Sequence, residues 1–214
     1  MTSASILTPI DYPLDPSADP STDWQAESVI VCTVSLTPTP NSALIHWPPT
    51  FDRGDSWIYQ IAEADRATFS IADYAKQVCL GETGNTGIPV NWGDNQYVEF
   101  AISGPCYVML ILDPFFSWQF QCAIQGIKLA LDPSGKYSKL MHVKAGGDSV
   151  PPAASIDDGC KIAYFEADTP IVASPAYTRD RFNIYAEFVL GGGSYLRKKY
   201  DPDIKNTGRP KFIP

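Results

Sequence analysis

The stretch Phe115-Phe-Ser-Trp118-Gln-Phe120-Gln-Cys122-Ala-Ile124-Gln-Gly126-Ile127-Lys-Leu129-Ala-Leu131 decides the fold. Phe116, Trp118, Phe120, Cys122 and Ile124 are apolar at even positions; Ile127, Leu129 and Leu131 are apolar at odd ones. Alternation of this kind marks a strand, because successive side chains leave opposite faces of a sheet. The phase slips by one residue near Gly126, and a slip of one exchanges the buried face for the wet one. A bulge or sharp bend at Gly126 restores the register. Long bent strands that change partners in this way belong to β-sandwiches.

The same period recurs on both sides. Toward the N-terminus, Ile30, Cys32, Val34 and Leu36 alternate with Val31, Thr33 and Ser35, which predicts a half-buried strand over Glu27–Leu36. Short strands are expected at Ala43–Trp47 and Ser56–Ile61, the second with Trp57, Tyr59 and Ile61 on one face. Tyr97–Ser103 and Tyr107–Leu112 flank Gly104-Pro105, read as a hairpin-like corner. Val108–Leu112 is continuously apolar and predicts a central strand covered on both faces. Toward the C-terminus, strands are expected at Ser138–Lys144 and Cys160–Glu166, separated by a flexible Gly/Pro-rich loop that begins at Ala145. Phe182, Ile184, Ala186, Phe188 and Leu190 alternate cleanly, then Gly191-Gly-Gly193 turns the chain into a last strand, Ser194–Tyr200. One helix interrupts this series, Ser70–Leu80. Ser70 and Asp73 form an acidic capping box, Ile71, Ala75, Val78 and Cys79 a stripe, and Gly81 a stop. It is expected to cover one end of the sheet.

The fold class expected is therefore all-β: an antiparallel, jelly-roll-like sandwich of about ten strands with one short helix. Residues 26–206 form the sandwich, 1–25 a Pro-rich N-terminal arm and 207–214 a C-terminal arm. A chain of 214 residues buries enough apolar surface to need no disulfide or metal staple. The arms carry Tyr12, Trp24, Ile204 and Phe212, apolar groups that gain most by packing on a surface, whether their own or a neighbour's.

Net charge of −8 excludes a phosphate-backbone binder, which needs a basic patch, and disfavours anionic lipid. Five widely spaced cysteines without a C-x-x-C exclude zinc ribbons and thioredoxin-like motifs. With no basic, apolar leader and no run long enough for a membrane span, these features point to the cytoplasm.

Chemistry-bearing residues are few. His46 and His142 stand in strands with no nucleophile brought near them by sequence, so both read as packed histidines, and no cofactor is expected. Trp92-Gly-Asp94-Asn95-Gln96 admits three readings: a plain turn, a sugar site with Trp92 as plate and Asp94 and Asn95 as polar groups, or oxygen ligands for Ca2+. Asp157 and Asp158 form an acidic turn that is either solvated or holds a hard cation. Gly191-Gly-Gly-Ser194 lacks the P-loop lysine and a following helix, so it reads as a hairpin turn.

The C-terminal third resembles the bacterial inclusion-body protein family AidA/PixA. The matching features are Ile162-Ala-Tyr-Phe-Glu-Ala-Asp168, the alternating strand Phe182–Leu190 and Tyr200-Asp-Pro-Asp-Ile204. In that family a similar Tyr-Glu-Ala-Asp strand, an alternating strand and a Trp-Asp-Pro element close a β-sandwich; here Tyr200 takes the tryptophan's place. The chain is also similar to uncharacterised bacterial proteins labelled "nucleotide synthetase", through an ending like Asp201-Pro-Asp-Ile-Lys-Asn206. Three functions follow as expectations. The first is a non-enzymatic β-sandwich that self-associates into homo-oligomers or inclusion bodies. The second is a carbohydrate- or small-ligand-binding module with a glycan as partner. The third is an enzyme acting on nucleotides or sugars.

Overall fold

A computed structural model describes residues 12–14, 24–37, 50–83, 87–89, 99–114, 117–129, 136–152, 159–168, 178–190, 194–200 and 203–206. The expected strand Ala43–Trp47, His46 within it and the 207–214 arm lie outside the described residues. Two seven-stranded sheets face each other, and their pairings are mainly antiparallel.

The first sheet is organised by one long strand, β12 (Thr178–Leu190). On one edge it pairs with β13 (Ser194–Tyr200) as the expected hairpin, Leu190 opposite Ser194, and lower down with β14 (Asp203–Asn206). On its other edge lie β7 (Trp118–Phe120) and β8 (Ile127–Leu129), the two halves of the stretch that slips phase. Phe120 stands opposite Ala186 and Ile127 opposite Ile184, so residues 121–126 all lie across from Tyr185. Both backbone groups of Tyr185 tie off this excursion: its carbonyl accepts from Gln121 N at 2.9 Å and its N–H donates to Gly126 O at 2.7 Å. The repair is larger than a one-residue bulge. It is a 3-10 turn, Cys122–Ile124, closed by Gln125 in the left-handed region at φ 61°. Beyond it Trp118, Phe120, Ile127 and Leu129 all face the interior. Two further strands complete the sheet. β1 (Tyr12–Pro13) pairs with β8, and β5 (Glu99–Ile102) runs parallel to β14.

The second sheet runs, edge to edge, β10 (Ser149–Val150), β9 (Lys136–Val143), β11 (Ile162–Asp168), β6 (Cys106–Leu112), β2 (Ser28–Thr37), β3 (Thr50–Gln60) and β4 (Ile88–Pro89). Its centre is β6 (Cys106–Leu112), antiparallel to β11 (Ile162–Asp168) and parallel to β2 (Ser28–Thr37). The continuous apolar run of β6 is explained by its place, since Val108, Met109, Leu110 and Leu112 are all fully buried. β2 differs from the half-buried strand expected. Ile30, Cys32 and Val34 face the sandwich interior, while Val29 and Val31 are equally buried in a second core on the outer face. β3 (Thr50–Gln60) pairs with β2 and carries β4 (Ile88–Pro89) at the edge. β9 (Lys136–Val143) flanks β11 on the other side. The expected flexible loop after Lys144 is in part a tight hairpin instead. β10 (Ser149–Val150) pairs with β9, and Gly147, at φ 89°, makes the turn against Lys76. A side chain at Gly147 would meet Lys76 Cγ at 2.6 Å, which explains glycine there.

The second core exists because α1 (Ile71–Leu80) covers the sheet's outer face, not its end. Its capping is as the sequence predicts. Asp73 N–H donates to Ser70 Oγ at 3.2 Å, and Gly81, at φ 70°, closes a Schellman turn through Glu82 N–H to Gln77 O at 2.9 Å. Tyr74 and Ala75 are buried against Trp57, whose Nε1 donates to the Tyr74 hydroxyl at 3.1 Å. The result is three layers: sheet, sheet, helix. Gly104-Pro105 is a corner but not a hairpin, because β5 and β6 belong to different sheets and the corner carries the chain between them. The two parallel pairings, β2–β6 and β5–β14, also depart from a purely antiparallel sandwich.

Candidate functional site

Where α1 ends over the second sheet, the layers do not close completely. The helix's last turn, the start of the β9–β10 hairpin, the end of β6 and the residues leading into β11 surround a cleft of about 450 Å3. That volume suits a small organic ligand. Its floor is apolar: Trp57 from β3, Ile111 from β6, Val143 from β9 and Ile162 from β11. Val78 from the helix completes one wall.

The polar groups of the cleft are few. Among the described residues, Lys144 and Lys161 line it and no aspartate or glutamate does. Lys161 Nζ donates to the Pro114 carbonyl at 3.0 Å, which fixes the amine at the cleft's edge. Burial pushes this amine below the usual lysine range, with Asp113 opposing the shift. Thr83 contributes a buried hydroxyl with no hydrogen-bond partner among the described residues. Cys79 lines the wall as a thiol. Its Sγ donates to the Lys144 carbonyl at 3.4 Å, and burial holds its pKa above the ordinary cysteine value. A thiol of that kind is a poor nucleophile, because the thiolate is the reactive form. A second pocket, beside Glu27 and Gly104, measures about 90 Å3, room for a few waters only.

The residues singled out from sequence fall elsewhere. Trp92, Asp94, Asn95, Asp157, Asp158 and Phe212 lie outside the described residues. Tyr12 pairs with Leu129 in the first sheet, and Leu14 just after it is a core residue with 1% exposure. Trp24 packs edge-on against Tyr107, ring centroids 5.2 Å apart. Ile204 stands in β14, opposite Asp180 on β12 and Phe100 on β5. His142 is a packed histidine, as the sequence suggests. It has 0% exposure, sits edge-on to Phe120 at 5.8 Å, and neither ring nitrogen has a hydrogen-bond partner among the described residues. Burial alone lowers its pKa to about 4, so the ring is neutral at pH 7.

Three buried carboxylates each have a partner. Glu187 accepts from Gln119 Nε2 at 2.8 Å, Asp180 from the Tyr137 hydroxyl at 2.6 Å, and Glu166 from Ser138 Oγ at 3.0 Å. They lie in different parts of the sheets and read as structural. Among the described residues no group of three or more His, Cys, Asp or Glu is placed to hold a metal ion. Also among them, no helix is long and apolar enough to cross a membrane.

Sequence reasoning missed the cleft because it is assembled from short pieces of several elements, none of which carries a motif. The only signal was a charged residue, Lys161, at the mouth of an otherwise apolar strand. Comparison with known proteins adds no assignment: no protein-family model matches the chain, and no curated protein matches its sequence.

Proposed function

We propose that this β-sandwich is a small-ligand-binding module whose cleft takes an anion with an apolar body, such as a medium-chain or aromatic carboxylate. The observation that carries this reading is the lining among the described residues: an apolar floor, Lys144, Lys161 and a Thr83 hydroxyl without a described hydrogen-bond partner, with no carboxylate in the wall itself. In a chain of net charge −8, the Lys161 amine at the edge of an apolar cleft selects ligand charge as well as shape. Binding fits better than catalysis, because the cleft's thiol is held protonated and His142 is sealed in the core. Self-association, the first expectation, rests on Tyr12, Trp24, Ile204 and Phe212. Of these, Trp24 packs on Tyr107 of its own chain, Tyr12 and Ile204 are paired through their backbone, and Phe212 lies outside the described residues.

The test is thermal unfolding of the full chain with a panel of carboxylates and their neutral alcohol or amide analogues. A ligand at about 100 times its Kd stabilises by about 2.7 kcal/mol, a rise of about 5–10 °C for a chain this size. Carboxylates are expected to raise the melting temperature and the neutral analogues not, with the effect lost in Lys161→Gln. Equal responses to acid and neutral compounds, or an unchanged response in the variant, refute the assignment.

A further inference from the structure

In the core between the sheets, two cysteines from opposite sheets come together. Cys122 opens the 3-10 turn of the first sheet, and Cys160 precedes β11 of the second. Each is 1% exposed and both are free thiols. Both belong to the core between the sheets, and contact with Cys160 is the first cause that raises the Cys122 pKa. Phe120 holds them together through its backbone: its N–H donates to the Cys160 carbonyl at 2.9 Å, and its carbonyl accepts from Cys122 Sγ at 3.6 Å. Cys32, Cys79 and Cys106 are free as well, and Cys79 stands on the cleft wall.

We infer that Cys122 and Cys160 form a dithiol that oxidises to an inter-sheet disulfide, a modification site distinct from the groups that line the cleft. The oxidant is a small disulfide of the glutathione class. One cysteine thiolate attacks it, forming a mixed disulfide and releasing one thiol. The second cysteine thiolate then attacks the mixed disulfide, forming the S–S bond and releasing the second thiol. Two protons leave the cysteines and two electrons pass to the oxidant, so the exchange balances. The chain on either side of Cys160 faces the cleft. Gly159 and Lys161, the neighbours of Cys160 in the chain, both line it, and Gly159 adopts φ 62°. Thiol contact and burial hold Cys122 far above the ordinary cysteine range, so the pair reacts through transient opening and responds slowly. It therefore reports the standing redox poise of a compartment, not a brief pulse of oxidant. In a reducing compartment the thiols persist; in an oxidising one the bridge forms and joins the sheets.

The experiment incubates the folded full chain with reduced and oxidised glutathione at a series of ratios. It then blocks thiols under denaturing conditions and maps them by mass spectrometry, with melting temperature measured in parallel. Expected is a loss of two hydrogens in mass, a peptide crosslinked between Cys122 and Cys160, and a rise in melting temperature of about 10 °C. The crosslink should form faster at higher pH and be absent in Cys160→Ala. Three results overturn the inference: a bridge that forms only after the chain is unfolded, a glutathione adduct on Cys79 with Cys122 and Cys160 still thiols, or a crosslink that lowers the melting temperature.

Discussion

Replacing His142 by leucine tests how the interior of the sandwich is balanced. The imidazole lies between Phe120 and Gly126 with neither nitrogen partnered among the described residues, and burial lowers its pKa from 6.5 to about 4. No charged neighbour contributes to that shift. The unfolded chain takes up a proton near pH 6.5, the folded chain only near pH 4. Between those values the unfolded state binds more protons. The neutral ring's contribution is therefore full above pH 6.5 and is lost as pH falls toward 4. The difference corresponds to about 3 kcal/mol. His142→Leu removes the titration and the two unpartnered nitrogens. At neutral pH the variant should be at least as stable as wild type, since an apolar replacement has no unmet hydrogen bonds. Urea unfolding from about pH 7.5 to about pH 4.5 is the assay. The wild type should lose about 2–3 kcal/mol more than the variant over that range, the rest being lost below it. Equal pH slopes in the two proteins refute the argument, as does a variant much weaker than wild type at pH 7.5.

Two further predictions concern local geometry. In Gly126→Ala the new Cβ would lie 2.8 Å from Phe120 Cβ and 2.9 Å from His142 Nε2, inside a closed core. Overpacking of that kind should cost about 2–3 kcal/mol, read as a fall in the urea midpoint. Ser70→Ala removes the hydroxyl that accepts from Asp73 N–H and should cost about 1 kcal/mol by the same measurement. Its effect on cleft ligands should be small, because Ser70 lies at the opposite end of the helix from Val78 and Cys79.

The layers were more legible in the sequence than the cleft. β6 and the β12–β13 hairpin follow directly from apolar runs and alternation, which depend only on the pleat. The helix ends follow from Ser70 and Gly81, because capping chemistry is local. Residue 126 was legible as a break in phase, but not as a six-residue excursion tied to Tyr185, since the partner strand is distant in the chain. The burial of Val29 and Val31 is not legible from alternation, which shows one apolar face, because the helix that covers the other is contributed by a separate segment. Gly104-Pro105 shows a turn without showing which sheet the chain enters next. The cleft and the Cys122–Cys160 pair depend on the meeting of both sheets and the helix, which no local pattern encodes.

The pairing of β5 with β14 has a consequence for synthesis. Glu99–Ile102 is joined in register to Asp203–Asn206, so this strand waits for a partner made much later in synthesis. Until residue 206 clears the ribosome, β5 presents an open edge, and open edges recruit other chains. Contacts this distant in sequence also slow folding. The nascent chain therefore passes through a long interval of vulnerability, during which a holding chaperone, or a pause in translation, would matter more than it does for the finished molecule.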